Sequence, residues 1–250
     1  MTEGLFYPVM YRAAIDGLRI TDEASLNKTE SGLLVLSQTR EAEFNMSFIL
    51  KMTPSPAEVQ KILDMIKESK RPSVLYANHT INMRPYNSDS HQVEYLERRN
   101  IMDRTANCEE LVKKLKSRII QANAETDQGR KAYADAKDVM AKGFEFENPE
   151  DVQQIMQNGV LNNPEVSIYC SYLEDMPIGT LTTVKGFADN LWNLTVLKEH
   201  RKKGFGSELI NFALQTNRQQ SLIANEDAFP FYIANGFTTK QKLKTWTITP

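Results

Sequence analysis

The spacing of apolar positions in the N-terminal part of the chain predicts a hairpin, a helix and a strand. Residues 33–36 are continuously apolar and residues 44–50 alternate apolar with polar, which predicts two strands. Ser55-Pro56-Ala57-Glu58 has the form of a capping box with proline at the first helical position, so a helix is expected over about 56–69. Residues 73–76 then predict a short buried strand.

Beyond a domain boundary placed near residue 95, the pattern predicts helices first and strands afterwards. Three consecutive strands joined by tight turns indicate an antiparallel meander. The strand, helix and strand that end the series are typical of a parallel crossover. The predicted elements are helices at 107–121, at 130–142 and from Pro149 to Gly159, strands at 166–173, 178–184 and 191–197, a helix at about 204–219 and a strand at 221–225.

Length and composition indicate an ordinary globular protein of two domains, which we place at 1–95 and 96–250. The 250 residues are 41% hydrophobic and 25% charged, enough to build a buried core. A net charge of −2 gives no global attraction to nucleic acid or to an anionic membrane, so neither is expected as a partner. Cys108 and Cys170 lie far apart without metal-ligand spacing, so a reducing cytoplasm is the expected location.

The chemistry of the sequence concentrates in one basic turn between a strand and a helix. Arg201-Lys202-Lys203-Gly204-Phe205-Gly206 starts the helix predicted at 204–219, and Lys198 adds a fourth cation against one acid, Glu199. Helix N-termini carry unpaired N–H groups and the positive end of the dipole. Two glycines let an anion approach the backbone, so the turn is predicted to hold a phosphate.

Two familiar phosphate sites do not fit this turn. A dinucleotide fingerprint requires a third glycine where Leu209 stands, and the Gly-x-x-x-x-Gly-Lys-Ser/Thr loop is missing. Arg-x-x-Gly-x-Gly at 201–206 instead resembles the pyrophosphate-binding turn of the GNAT acetyltransferases. Residues 222–237 are similar to the second signature of that family, in which a strand ending in Asn precedes Ala-x-x-x-Tyr-x-x-x-Gly-Phe.

The resemblance covers roughly residues 100–250 and implies acetyl-coenzyme A as co-substrate, with no metal. It implies that the strand before the turn leaves its neighbour at a bulge and pairs with pantetheine, that Tyr232 protonates the departing thiolate, and that Asn225 orients the cofactor or the leaving group. The N–H of Val196 is implied as donor to the acetyl oxygen. The implied cofactor-binding residues are Leu194, Thr195, Val196, Arg201, Lys202, Lys203, Gly204, Phe205, Gly206, Ser207 and Asn225.

The implied fold is α/β (α+β), a GNAT fold whose mixed, mostly antiparallel sheet is flanked by helices. A smaller N-terminal α/β domain accompanies it. Hairpin, helix and Ser73-Val74-Leu75-Tyr76-Ala77-Asn78 echo the later helix followed by Ser221-Leu222-Ile223-Ala224-Asn225, so this domain is either a degenerate GNAT-like half or a chance similarity. It lacks the glycine-bearing turn.

The expected function is transfer of an acetyl group to the amine of a small-molecule or peptide acceptor, by a monomer or homodimer. Residues 191–194 lack the carboxylate by which many relatives deprotonate the amine, so the general base is unassigned, with Asp189, Glu226 and Asp227 as candidates by proximity. A silent acyl-coenzyme A-binding module is the alternative, and a nucleic-acid binder is a distant third. Without the resemblance, Tyr232 reads as a core tyrosine and Asn225 as a strand end.

Overall fold

The computed structural model describes most of the chain and divides it into two compact units. The first unit comprises residues 1–102, 223–232 and 239–250, and the second comprises 103–222 and 233–238. The placement of two domains at 1–95 and 96–250 stays a prediction. The described residues are 3–21, 24–37, 39, 42–86, 92–105, 115–146, 148–156, 158–186, 188–214 and 219–250.

The first unit combines a mostly antiparallel sheet with three helices. Its strands are ordered β1-β2-β3-β4-β11-β5, and only the β3–β4 pair among those with a stated register is parallel. Helix α2 connects these two strands, because a parallel neighbour requires a crossover. The elements are α1 (Glu3–Arg19), β1 (Ser25–Lys28), β2 (Gly32–Leu36), β3 (Met46–Ile49), α2 (Pro56–Ser69), β4 (Ser73–Asn78), most of β5 (Gln92–Thr105), α7 (Phe229–Ala234) and nearly all of β11 (Thr238–Thr249).

The second unit repeats this plan with a longer meander. Its strands are ordered β10-β9-β8-β7-β6, antiparallel from β9 to β6 and parallel between β9 and β10. Helix α6 makes the crossover. The elements are β6 (Arg118–Gln121), α3 (Asp127–Gly143), α4 (Pro149–Ile155), α5 (Asn158–Leu161), β7 (Val166–Leu173), β8 (Met176–Val184), β9 (Asp189–Val196), α6 (Phe205–Ala213) and the first part of β10 (Gln219–Ala224).

Helix α2 begins where the capping box predicts. The Ser55 hydroxyl accepts the Glu58 N–H at 3.3 Å, and the Glu58 carboxylate accepts the Ser55 N–H at 2.8 Å. The same carboxylate binds Lys51 and accepts the Ser31 hydroxyl at 2.5 Å. The positive end of the α2 helix dipole is thus already compensated by a carboxylate of the chain itself.

The apolar stripe of α2 closes the core of the first unit. Val59, Ile62, Leu63 and Ile66 are buried against strand residues, and their spacing of i, i+3, i+4 and i+7 places them on one helix face. The strand residues of this cluster come from β2, β3, β4 and β11, and they are Leu34, Ile49, Leu75, Ala77, Trp246 and Ile248.

Helix α3 covers the sheet of the second unit. Thr126 caps its N-terminus by accepting the Gly129 N–H at 2.9 Å, and its buried face includes Ala132, Tyr133 and Ala136. The Tyr133 hydroxyl donates to the carbonyl oxygen of Met156 at 2.6 Å, which ties α3 to the residue after α4. No helix in the described ranges is long and apolar enough to cross a membrane.

The prediction of a helix at 107–121 is wrong for its last four residues. Residues 118–121 form strand β6, in which Ile119 pairs with Ser171 and Ile120 with Cys170 of β7. Consecutive isoleucines suit a strand as well as a helix, and tertiary pairing with β7 decided between them. Residues 107–114 of the expected helix lie outside the described residues.

The structure differs from the sequence-based prediction in three further respects. Gly159 lies within helix α5 instead of ending a helix, and strand β10 already begins at Gln219, where the sequence predicts the end of a helix. Helix α1 and the long strand β5 were not predicted as elements. The remaining predicted helices and strands are confirmed to within a few residues.

Because of the cap of α2, the stability of the first unit is expected to fall as the pH is lowered into the acid range. Hydrogen bonds from Lys51 first, then from Ser31 and Ser55, lower the pKa of Glu58 to about 2 from its ordinary 4.5. The stabilisation is therefore complete above about pH 4.5 and is lost as the pH falls toward 2. We expect Glu58→Gln to flatten this part of the pH dependence of unfolding by denaturant. Glu68→Gln, at the other end of α2, is the control, and an equal flattening there would contradict the role of the cap.

Candidate functional site

Strand β9 contains a β-bulge just before the residues expected to meet the cofactor. Thr180 of β8 pairs with Thr195, and Thr182 pairs with Trp192. An advance of two residues along β8 therefore corresponds to three residues along β9. Asn193 takes up the extra residue with a φ of 51°, a left-handed conformation that asparagine tolerates. The predicted bulge in this strand is confirmed.

The second half of β9 extends past its parallel neighbour. Among the described residues, the β9–β10 ladder consists of Asp189 with Gln220 and Asn190 with Ser221. Residues 191–196 continue beyond this ladder, with Thr195 and Val196 buried and Trp192, Asn193 and Leu194 half-buried. Backbone groups on this edge are those that an amide-bearing chain could pair with.

The basic turn after β9 contains two left-handed residues. Lys202 has a φ of 61° and Gly204 a φ of 95°, and Gly204 is the N-cap of α6. A left-handed lysine costs of order 1–3 kcal/mol, and such strain concentrates at ligand sites. Alternating backbone conformations of this kind direct successive N–H groups toward one concave point, which suits an anion.

The N-terminus of α6 differs from that of α2 in having no carboxylate cap of its own. No side chain caps Gly204 in the described structure, and the first helical hydrogen bond runs from the Glu208 N–H to the Gly204 oxygen at 3.1 Å. The amides of residues 205–207 precede that bond and point out of the helix end. An external anion can therefore take the place that Glu58 fills in α2.

Phe205 and Arg201 fix the turn to the body of the second unit. The Phe205 ring packs with Ile178 and Val196 in a small buried cluster. The Arg201 guanidinium donates to the Val196 carbonyl oxygen at 2.8 Å and to the Gly143 carbonyl oxygen at 2.7 Å. These bonds direct the guanidinium to the backbone, while Lys202 and Lys203 are exposed.

The segment around Lys116 was not foreseen from the sequence and lies against the turn. The Lys116 ammonium donates to the Lys203 carbonyl oxygen at 3.1 Å, and a Cβ placed on Gly204 would come within 3.2 Å of the same nitrogen. Glu208 accepts the Lys116 N–H at 2.5 Å and the Ser117 hydroxyl at 2.8 Å. Lys116 thus adds a cation beside Gly204, and no local motif signals it.

Asn225 and Tyr232 belong to the first unit. The Asn225 side-chain oxygen accepts the Ala228 N–H at 2.8 Å, and its carbonyl oxygen accepts the Phe229 N–H at 3.1 Å, so Asn225 starts helix α7. Tyr232 is half-buried on α7, with its ring 5.2 Å from that of Phe231. Burial raises the pKa of the Tyr232 phenol, so the group remains a proton donor at neutral pH.

The three acids considered as bases lie in different surroundings. Asp189 is buried at the start of β9, whereas Glu226 and Asp227 are exposed just before α7. The Glu226 N–H donates to the Glu97 carboxylate at 3.3 Å. In the described part of the chain no three His, Cys, Asp or Glu side chains are grouped closely enough to hold a metal ion.

Comparisons with known sequences identify the domain that carries the bulge and the turn. A family model described as an acetyltransferase (GNAT) domain matches residues 164–239. Uncharacterized N-acetyltransferases of Staphylococcus aureus, from strains that include bovine RF122 / ET3-1 and COL, are 40% identical over 48 residues. The match spans 19% of this chain and one third, 33%, of the length of these curated relatives.

Solved structures share the fold over nearly the whole chain. A GCN5-related N-acetyltransferase from Kribbella flavida has a TM-score of 0.64 at 12% identity and covers 97% of this chain and 95% of its own. A functionally unknown conserved protein from Staphylococcus epidermidis has a TM-score of 0.67 at 16% identity. The match covers 91% of this chain and 94% of that protein's chain.

A tandem GNAT protein from the clavulanic acid biosynthesis pathway has the same fold over both parts of the chain. Its TM-score is 0.52 at 14% identity, with 98% of this chain and 94% of that chain covered. The family model, the bulged strand and the turn before α6 agree with the resemblance found in the sequence. Residues 164–239 match an acetyltransferase (GNAT) domain, and the described chain has the fold of GNAT proteins.

Proposed function

We propose that the chain is an N-acetyltransferase that uses acetyl-coenzyme A and transfers the acetyl group to an amine. The observation that carries the proposal is the start of α6, where the left-handed Lys202 and Gly204 precede a helix end without a side-chain cap. The site fits a pyrophosphate, because amides 205–207 and the ammonium groups of Lys116, Lys202 and Lys203 offer donors and positive charge.

The residues of the chain have separate roles in this proposal. Acetyl-coenzyme A would supply the thioester whose C–S bond breaks as the amine nitrogen forms the amide. The edge of β9 at residues 194–196 would orient the pantetheine amides, and the Val196 N–H would donate to the acetyl oxygen. Arg201 holds this strand end in place. The Tyr232 hydroxyl would give its proton to the departing sulfur, and the amine proton leaves through a base not yet assigned.

A catalytically silent acyl-coenzyme A-binding module is the second candidate function. One observation favours it: residues 191–194 of β9 carry no carboxylate. Both candidates require the same cofactor site and differ only in turnover. A cytoplasmic location and a monomeric or homodimeric state belong to the proposal in either form.

The cofactor site is tested by a carboxylate placed at the second residue of α6. We expect Gly206→Glu to abolish acetyl-coenzyme A binding, which means a Kd raised by about a hundredfold or more. The new carboxylate would occupy the position of the pyrophosphate and repel it. Calorimetric titration measures the affinity. Ala134→Glu, on the exposed side of α3 in the same unit, is the matched control, since it adds the same charge away from the turn. Unchanged affinity in Gly206→Glu would contradict the site.

The proton donor is tested by removing one hydroxyl. We expect Tyr232→Phe to lower kcat by roughly 10²-fold with an unchanged Kd for acetyl-coenzyme A, measured by thiol release over a panel of amines. Because burial raises the pKa of Tyr232, the wild-type rate should not lose this donor until the pH exceeds the ordinary tyrosine value of 10. Tyr95→Phe, at an exposed tyrosine of β5, is the control. Cofactor binding without release of thiol from any amine would favour the silent module.

A further inference from the structure

The first unit contains a cavity of about 620 Å³, within the range of small-molecule sites. The described residues that line it all belong to this unit. The walls are parts of β5 and β11 with residues at the end of β4 and at the start of α7. The lining residues are His79, Arg98, Arg99, Asn100, Glu226, Phe229, Lys242, Leu243 and Lys244.

The charge that faces this cavity is strongly positive. Arg99 is already matched, because its guanidinium pairs with Glu97 at 2.8 Å and with Glu43 at 3.4 Å, and it donates to the Tyr76 hydroxyl at 2.8 Å. Arg98, Lys242 and Lys244 form no ion pair with any described residue. Three cations therefore remain available to a ligand.

The described lining of the cavity also includes one carboxylate, that of Glu226. Glu226 is held by its N–H, which donates to the Glu97 carboxylate at 3.3 Å, and Phe229 offers an apolar surface beside it. Cations and a carboxylate that line one cavity suit a molecule that bears an acidic group and an ammonium group. A purely anionic ligand would leave the carboxylate uncompensated, and a purely cationic ligand would leave the cations uncompensated.

The cavity adjoins the segment that carries the proposed proton donor. Glu226 and Phe229 line it, and Tyr232 lies three residues after Phe229 on the same short helix, with its N–H bonded to the Ala228 oxygen at 3.2 Å. Two of the lining residues, Glu226 and Phe229, and the residue that would give the proton thus lie on one continuous piece of chain.

We propose that this cavity binds the acceptor and that the acceptor is an amine with an acidic group, a carboxylate or a phosphate. Arg98, Lys242 and Lys244 bind the acidic group, and Glu226 binds the ammonium group. The assignment of the ligand as acceptor rests on the proposed acetyltransferase function, whereas the binding preference depends on the cavity alone.

Matched amines that differ by one acidic group test the proposal. β-Alanine is compared with propylamine, and O-phosphoethanolamine with ethanolamine, by calorimetric titration of the full chain. We expect at least one acidic member to bind about tenfold or more tightly than its neutral counterpart, since one charge-assisted contact has that effect. Preference for β-alanine assigns a carboxylate, and preference for O-phosphoethanolamine assigns a phosphate. Equal binding within both pairs overturns the proposal.

Two variants locate the binding groups. Lys242→Gln combined with Lys244→Gln should reduce the preference for the acidic member to about threefold or less. Lys61→Gln, on the exposed side of α2, is the matched control and should leave the preference intact. Glu226→Gln should weaken the binding of the acidic and the neutral amines alike. An unchanged preference in the lysine variant, or unchanged amine binding in Glu226→Gln, contradicts the assignment.

Titration with acetyl-coenzyme A in parallel separates this proposal from the proposed function. A chain that binds acetyl-coenzyme A but does not distinguish the paired amines contradicts the cavity assignment alone. A chain that prefers acidic amines but does not bind acetyl-coenzyme A contradicts the acetyltransferase proposal alone. Thermal unfolding of each variant shows whether a loss of binding is a loss of fold.

Discussion

The hydrogen bonds of the Arg201 guanidinium to the carbonyl oxygens of Val196 and Gly143 are the contact on which the arrangement of β9, α3 and the turn before α6 depends. They join the last residue of β9 to the last residue of α3, and they set where the turn to α6 begins. A charged donor bound to two backbone oxygens is worth more than a neutral hydrogen bond. The same arginine that the family motif assigns to phosphate therefore has an architectural role in this chain.

The two crossover helices show how one fold can keep or lose an anion site. In α2, the carboxylate of Glu58 satisfies the helix end and is itself bound by Lys51. In α6, the cap is Gly204, and no described side chain caps the helix end. The first unit thus has a strand-helix-strand crossover whose helix end is already occupied, and the proposed ligand site of this unit is its charged cavity.

Sequence patterns predicted the elements that local chemistry determines. The capping box at 55–58 gives the start of α2, and the 201–206 turn together with the signature at 222–237 carries the GNAT resemblance, because these motifs act within a few residues. Strand β6 was missed, since Ile119 and Ile120 take their conformation from pairing with β7. Lys116 at the turn and the lysines of β11 at the cavity could not be found either, because only the folded sheet brings distant segments together.

Gly143 shows how the length of α3 is coupled to the turn. A Cβ at this position would lie 2.5 Å from the Thr195 hydroxyl oxygen, so the helix end approaches β9 as closely as a bare backbone allows. A helix rotates by about 100° per residue, so a single insertion in α3 would turn the Gly143 carbonyl away from Arg201 and bring a side chain to the strand. Protein engineers who replace the loops around α3 have to preserve its helical phase, because that phase aligns the end of β9 with the body of the unit.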